Sequence, residues 1–513
     1  MSKIILAEKP IAGNKLRDAL GIKAIPAVGH LIELKPKSRK WTPPYFDLEW
    51  IVRKKEADRL NKIVLRLKES DEIYIATDYD AEGQLIAYNI LRECGIKPSS
   101  VHRMKFSSLE TDALTSAFQK VIPFDEDFAL SAEIRHKLDW YFGMNISKAL
   151  TELLKEKQGI RRYYLTPVGR VQTPVLHKLV LKEKEISKFT AKDEWVIYLR
   201  GIYNDNKFFT ITNYRFDTKK EVVEFASYLT EGTIDRIDEE KWENVVYPPN
   251  KDFVVTECLR QGISSNVVDF VLQDLYLDGL ISYPRTTSNQ YGIHGVNTQK
   301  YLERLKGIVP GVDKALGKEP REGNEVGVHP AIYPIMPYTE KDLKGVVWNI
   351  IAESFVKSHL PPEVNIKTVT YVNIGGSPER AYDNPDLEKD DEFSIVHQIV
   401  KRKSSPPARL SEREIYGWMV EHNLGTVDTR TQTLTKLLRT YVFQTGSGLY
   451  TSSRGVQVCD TLAKMYADIV GVALTRRFEK LIASVQKGAK MGPILDEGKK
   501  TVTEIVNKIK EER

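Results

Sequence analysis

Only three cysteines occur in 513 residues, Cys94, Cys258 and Cys459, and they stand 164 and 201 residues apart. No CxxC pair exists, which excludes a zinc ribbon and a disulfide framework and suits a reducing, cytoplasmic setting. Long apolar runs are missing as well. The N-terminal MSKIILAEKP reaches charge after four apolar residues, and no stretch approaches the roughly 20 apolar residues of a membrane span, so neither secretion nor membrane insertion is expected. A nucleotide loop is also absent. The nearest approach, GVDKALGKE over 311–319, has five residues between its glycines where a phosphate loop has four, and glutamate where a hydroxyl would meet Mg²⁺. ATP is therefore not an expected cofactor. Neither charge sign dominates: 76 Lys and Arg against 70 Asp and Glu leave +6, which excludes a histone-like polycation and permits local basic surfaces. No internal repeat or low-complexity tract breaks the chain.

What is present describes a folded multidomain protein. Apolar residues at 41% and charged residues at 28% exclude a disordered or coiled-coil chain, and the length exceeds what one hydrophobic core organises. Ile4–Ala7 and Ile73–Thr77 read as short strands, the second followed by the acidic string DYDAEGQ and a helical stretch, Leu85–Arg92. In an open parallel sheet chemistry collects beyond the carboxyl ends of strands, so Glu8 and the Asp78–Glu82 string are expected to share a crevice. Ser107 with Glu110 reads as a capping box starting a helix at Leu109. The pattern is helical from about Ala129 to Lys188, β-rich over Trp195–Glu240 and again near Ile366–Ile374, and helical from Leu410. Within Lys148–Lys188 ten basic and four acidic residues give a local +6, and Glu379–Phe393 reads as an acidic solvent-facing loop.

Asp78, Asp80 and Glu82 alternate just past a strand and would point to one side of an extended turn. An oxygen-only set suits Mg²⁺ rather than zinc; a solvated acidic turn is the plainer reading, and Glu8-Lys9 in the same crevice favours the metal. Leu280–Tyr283 reads as a short strand closed by Pro284. Arg285, two residues on, would share a face with Tyr283, clamp a phosphate and lower the phenol pKa, making Tyr283 a candidate nucleophile for phosphoryl transfer. In GRVQTP, Arg170, Gln172 and Thr173 offer donors suited to a phosphodiester backbone, or simply a polar helix entrance. His329 in GVHPAIYP could donate to a phosphate or be structural.

Taken in order, AEKP, DYDAEGQ, RHKLDWYFGMNISKAL, GRVQTP, ISYPRTTS, HPAIYP and PPARLSEREIYGWMVEHNLGTVDTR resemble the type IA DNA topoisomerases, particularly their archaeal branch, from Lys3 to about residue 505. The resemblance implies a multidomain α/β protein with additional helical and β-rich domains, a TOPRIM domain and a toroidal, padlock-shaped core. On that map residues 1–128 form the metal-binding TOPRIM domain and 129–194 with 399–513 a helical domain bearing a single-strand groove. Residues 195–253 with 346–398 form a β-rich hinge, and 254–345 the catalytic-tyrosine domain. It further implies that Tyr283 attacks a single-stranded phosphodiester to form a 5′-phosphotyrosine, with Lys9 as general acid. Asp78, Asp80 and Glu82 would be ligands of Mg²⁺, and Glu8 a proton shuttle or transient ligand. Arg285 and His329 would grip the scissile phosphate, and Arg135, Asp139, Arg170, Gln172 and Thr173 would line the groove. The chain departs from the family's DxDREGE at Ala81 and Gln84, from its usual aspartate at Thr287, and from a frequent serine at Ile11. It carries no zinc-ribbon cysteines, so a compact, zinc-free, core-only member is expected. The expected partner is single-stranded or underwound DNA, bound by a monomer associated with the nucleoid. The rival readings are another TOPRIM enzyme, a nuclease or primase, and a catalytically silent single-strand-binding protein.

Overall fold

The computed structural model describes residues 2–158, 165–204, 207–383 and 385–512. Arg161 and Arg162 of the basic segment and Asn384 of the acidic loop lie outside them. The chain divides into two units, one of Met1–Glu183, Tyr247–Leu360 and Arg409–Arg513, the other of Lys184–Val246 and Pro361–Ala408.

The first unit opens with an α/β layer. Strands β1 (Lys3–Ala7), β2 (Lys23–Pro26), β5 (Glu72–Ala76), β6 (His102–Arg103) and β7 (Ile122–Pro123) form a sheet in the order β2-β1-β5-β6-β7, parallel except for the β7 edge. A separate hairpin, β3 (Ile32–Pro36) and β4 (Leu48–Val52), interrupts the sequence between them. Because side chains alternate along a strand, Ile4, Leu6, Ile73 and Ile75 enter one core, with α2 (Ala57–Lys68) and α3 (Ala81–Cys94), while Ile5, Ala7, Tyr74 and Ala76 enter the other, with α1 (Pro10–Leu20) and α4 (Thr111–Gln119). Both faces of the sheet are thus buried, as a parallel sheet requires. The register aligns Ala7 with Ala76, so Glu8-Lys9 and Thr77-Asp78 leave the sheet side by side.

Helix α5 (Glu126–Gln158) carries Leu138, Tyr141, Phe142, Ile146 and Leu150 into the larger core, and the final helix, Met491–Glu511, packs along it. GRVQTP is the entrance to α6 (Gln172–Lys188). Two local expectations are corrected. Helix α4 begins at Thr111 without a side-chain cap, because Ser107 Oγ bonds His329 Nδ1 at 2.7 Å and Glu110 is engaged by Tyr301 and Arg304. Leu280–Tyr283 is no strand but a loop held by a single bridge, Ile281 to Pro334, since Pro284 removes the next donor.

The second unit is one antiparallel sheet ordered β12-β11-β10-β13-β8-β9, from β8 (Asp193–Tyr203), β9 (Lys207–Phe216), β10 (Glu231–Asn244), β11 (Glu363–Ile374), β12 (Ser377–Arg380) and β13 (Glu392–Lys403). Its core of Ile197, Leu199, Phe209, Ile211, Val372 and Phe393 is covered by α7 (Lys219–Ser227). Two separated stretches of sequence build it, β10 pairing with both β11 and β13.

The start of α3 is set by Gly83. A Cβ there would lie 2.2 Å from the Asp78 carbonyl oxygen, so only glycine lets the helix approach the β5 exit this closely. Gly83→Ala is expected to destabilise the first unit by about 3 kcal/mol through overpacking against backbone, read as a lowered denaturant midpoint. An unchanged midpoint would mean that this approach does not fix the loop.

Candidate active site

The two strand exits supply a buried, acidic floor. Glu8 is 8% exposed and Asp78 4%; the Asp78 amide donates to Glu8 Oε2 at 3.2 Å. Lys9 Nζ lies between them, donating to Asp78 Oδ2 at 2.7 Å and sitting 3.3 Å from Glu8 Oε1. Asp80 caps α3, its Oδ1 accepting from the Gly83 amide at 2.7 Å, which leaves Oδ2 directed at the neighbouring segment. Burial, and then the Asp78 charge, push the Glu8 carboxyl up to about 7. Lys9, though burial opposes its charge, is held above its ordinary value by Asp78 and Glu8.

Tyr283 reaches this floor from 203 residues away. Its phenol donates to Asp80 Oδ2 at 2.5 Å, and its backbone amide donates to Ser107 O at 2.8 Å. Arg285 lies 3.9 Å from the same Asp80 oxygen and 3.4 Å from Asp428 Oδ1. The expected acidification of the phenol is corrected: burial, with Asp80 and Asp78, raises the Tyr283 pKa well above its ordinary value despite Arg285. At 1% exposure the ring has no water to stabilise a phenolate, so the proton stays on oxygen and is handed toward Asp80.

His329 packs its ring 4.3 Å from that of Tyr283 and is fully buried. Its Nε2 faces the Tyr79 carbonyl at 3.0 Å, which can only accept, so Nε2 carries the hydrogen and Nδ1 accepts from Ser107 Oγ. Burial, and then Lys105, push its pKa down to about 3. A neutral ring with both nitrogens engaged holds the tyrosine ring here and has no donor left for a phosphate.

Glu82 does not join the acidic floor. Past Asp80 the chain is helical, so successive side chains turn by about 100° rather than alternating, and Glu82 Oε2 instead meets His30 Nε2 and His136 Nε2, each at 2.9 Å. The carboxylates gathered at the strand exits are Glu8, Asp78 and Asp80, and of these Asp80 contacts the phenol. Of the departures, Gln84 accepts from the buried Arg103 at 2.8 Å, and Arg103 also donates to the Asp78 carbonyl at 2.9 Å, bracing the β5 exit. Ala81 simply opens α3, and Thr287 contributes its carbonyl to Asn250.

The groove residues assemble, but not as free donors on one extended edge. Arg170, 1% exposed by side chain, is tied to Asp139 at 2.6 Å and to Glu479 at 3.2 Å, and Arg135 meets Glu479 at 2.8 Å. Arg135, Asp139, Arg170 and Gln172 line a cavity of about 510 Å³ with Trp41, Lys148 and Lys436. Thr173, buried one residue into α6, is not among its lining residues. The buried Gln172 Nε2 finds no partner among the described residues. Sequence reasoning missed Gln273, whose Oε1 accepts from Lys9 at 3.3 Å and Arg285 at 3.4 Å. It also passed over Asp428, although its motif GTVDTR was in view, and the histidines His30 and His136.

Comparison with known proteins matches the DNA topoisomerase family model over residues 123–382 and 370–492 and the Toprim domain over 3–109. The chain belongs to the type IA DNA topoisomerases. It is an enzyme of that family, an isomerase, and the family's Toprim domain is generally one that binds divalent metal. The chain is 29% identical to DNA topoisomerase 1 of Methanocaldococcus jannaschii over 99% of its own length and 75% of that protein, and 29% identical to DNA topoisomerase 1 of Pyrococcus horikoshii over 99% and 84%. Its fold matches full-length topoisomerase I of Thermotoga maritima with a TM-score of 0.79, at 21% identity, over 98% of this chain and 90% of that one. No helix among the described residues is long and apolar enough to cross a membrane.

Glu8 gives a pH prediction. Between 4.5 and about 7 the folded chain keeps a proton that the unfolded chain has released, so its contribution to stability falls as pH rises through that window. In chelator, Glu8→Gln is expected to melt above wild type at pH higher than 7, the gap closing toward pH 4.5. A variant less stable than wild type at the higher pH would show that the ionised carboxylate stabilises the fold.

Proposed function

We infer that this chain relaxes underwound DNA by cutting one strand, passing another through the protein-linked break and resealing it, with Tyr283 as the nucleophile. The observation that carries the residue assignment is the phenol's 2.5 Å hydrogen bond to Asp80, beside Lys9 and Arg285. As Tyr283 Oη bonds phosphorus, its proton passes to Asp80 Oδ2; as the bond to O3′ breaks, Lys9 Nζ protonates that oxygen. Arg285 would balance the charge on the phosphoryl oxygens, and the buried Gln273 Nε2, unpartnered among the described residues, is a further donor at the same place. The product is a 5′-phosphotyrosine and a free 3′-hydroxyl. Because the ester conserves the energy of the broken bond, resealing is the reverse reaction and needs no nucleotide.

Glu8, Asp78 and Asp80 would hold Mg²⁺: they are oxygen donors only, and they stand together at the two strand exits. When bound, that ion would supply charge stabilisation to the phosphate. The strand would lie along the cavity at α5 and α6, where Lys148 and Lys436 suit backbone contacts and affinity falls with salt. Since Tyr283 is buried, a phosphate reaches it only when its segment parts from the strand exits. The β-rich second unit is the proposed hinge for that movement.

A labelled single-stranded oligonucleotide incubated with Mg²⁺ and then denatured is expected to leave a covalent adduct with wild type and none with Tyr283→Phe. Lys9→Ala is expected to slow cleavage by roughly 10²–10⁴-fold with the fold intact by circular dichroism. An adduct that survives Tyr283→Phe would overturn the assignment, and cleavage unchanged by Tyr283→Phe would favour another TOPRIM enzyme.

A further inference from the structure

Two histidines and one glutamate meet at a point the proposed cleavage chemistry does not use. Glu82 stands in the first turn of α3, His136 on α5, and His30 on the link between β2 and β3. One donor atom from each lies within 4.8 Å of the other two. Both imidazoles aim Nε2 at the same oxygen, Glu82 Oε2, at 2.9 Å, and the rings stand 5.4 Å apart. The placement is enforced from several sides. His30 follows Val28 and Gly29, both at positive φ, 64° and 88°; a β-branched residue rarely adopts that conformation, and strain of this kind persists only where surrounding structure holds it. The Val28 amide is pinned to the Glu8 carbonyl at 2.7 Å. His136 is backed by the Trp50 ring at 5.8 Å, and α3 is tied to α5 near it by Arg92 and Glu133.

We propose that His30, Glu82 and His136 form a binding site for one divalent transition-metal ion of zinc-like softness, separate from the oxygen-only pocket of Glu8, Asp78 and Asp80. Two imidazoles and one carboxylate make a donor set that Mg²⁺ does not favour and that zinc or cobalt does. The geometry is close to that required. Ligands at about 2.0–2.1 Å around a tetrahedral ion stand about 3.3 Å apart, so each imidazole nitrogen must open from its 2.9 Å contact by only a few tenths of an ångström. Metal binds each neutral ring through Nε2: a ring already neutral carries its hydrogen on Nδ1 instead, and a protonated ring releases its Nε2 proton to solvent. Side-chain exposures of 22%, 40% and 33% for His30, Glu82 and His136 leave an entry path for the ion. Three protein donors leave at least one position open to water or an anionic oxygen, and Arg135 and Asp139 of the groove lie on the same helix.

The test uses cobalt(II) as probe on the full chain without an affinity tag, stripped with chelator. One equivalent is expected to bind with the intense visible absorption of low-symmetry, imidazole-containing coordination, to be displaced by zinc and to resist excess Mg²⁺. His30→Gln and His136→Gln are each expected to weaken it by roughly 100-fold or more, whereas Asp78→Asn leaves it unchanged. Binding that survives both histidine changes, or is lost with Asp78→Asn, overturns the proposal, as does failure of wild type to bind. Zinc-edge X-ray absorption on the wild-type chain reads the same question without a variant: two imidazoles at about 2.0–2.1 Å support the site, and an all-oxygen shell overturns it. None of these outcomes bears on the Tyr283 adduct, so the two readings fail separately.

Discussion

Negative charge packed at the ends of two neighbouring strands is the constraint around which the first unit is organised. Parallel pairing of β1 with β5 brings Glu8 and Asp78 out of the sheet together, and the turn into α3 adds Asp80. Carboxylates this close and this dry repel one another, and the fold responds with Lys9 between two of them and Arg285 over the third. The neighbouring backbone is secured separately, by Arg103 on the Asp78 carbonyl and by the absence of a side chain at Gly83. Such an arrangement costs stability, and its persistence is intelligible where charge must be stabilised on a phosphate.

The phenol is stored rather than activated. A tyrosine with a depressed pKa would be partly ionised; one buried against Asp80 keeps its proton. His329 contributes to that storage through its ring and its two occupied nitrogens. The groove is in a comparable condition, with Arg170 satisfied by Asp139 and Glu479. The tyrosine is thus covered and the guanidinium paired, so neither is open to solvent.

Glu82 marks the point at which one acidic string serves two places. The helix that begins at Ala81 sends Asp80 toward the tyrosine and Glu82 toward two imidazoles. That division follows from helical rather than strand periodicity beyond the cap.

The sequence by itself determined the alternating β and α elements at the N-terminus, the two β-rich stretches, the helical tail and the ordered motifs that mark the family, because these depend on local periodicity and on side chains a few residues apart. It also placed the nucleophile, the cation and the acidic string as candidates. Only the tertiary structure decided which of them meet. Asp80 and Tyr283 are 203 residues apart, and Arg170 and Glu479 are 309, distances over which no local pattern carries information. The raised phenol pKa, the neutral His329 and the meeting of Glu82 with His30 and His136 depend on burial and long-range packing, which spacing along a chain does not encode.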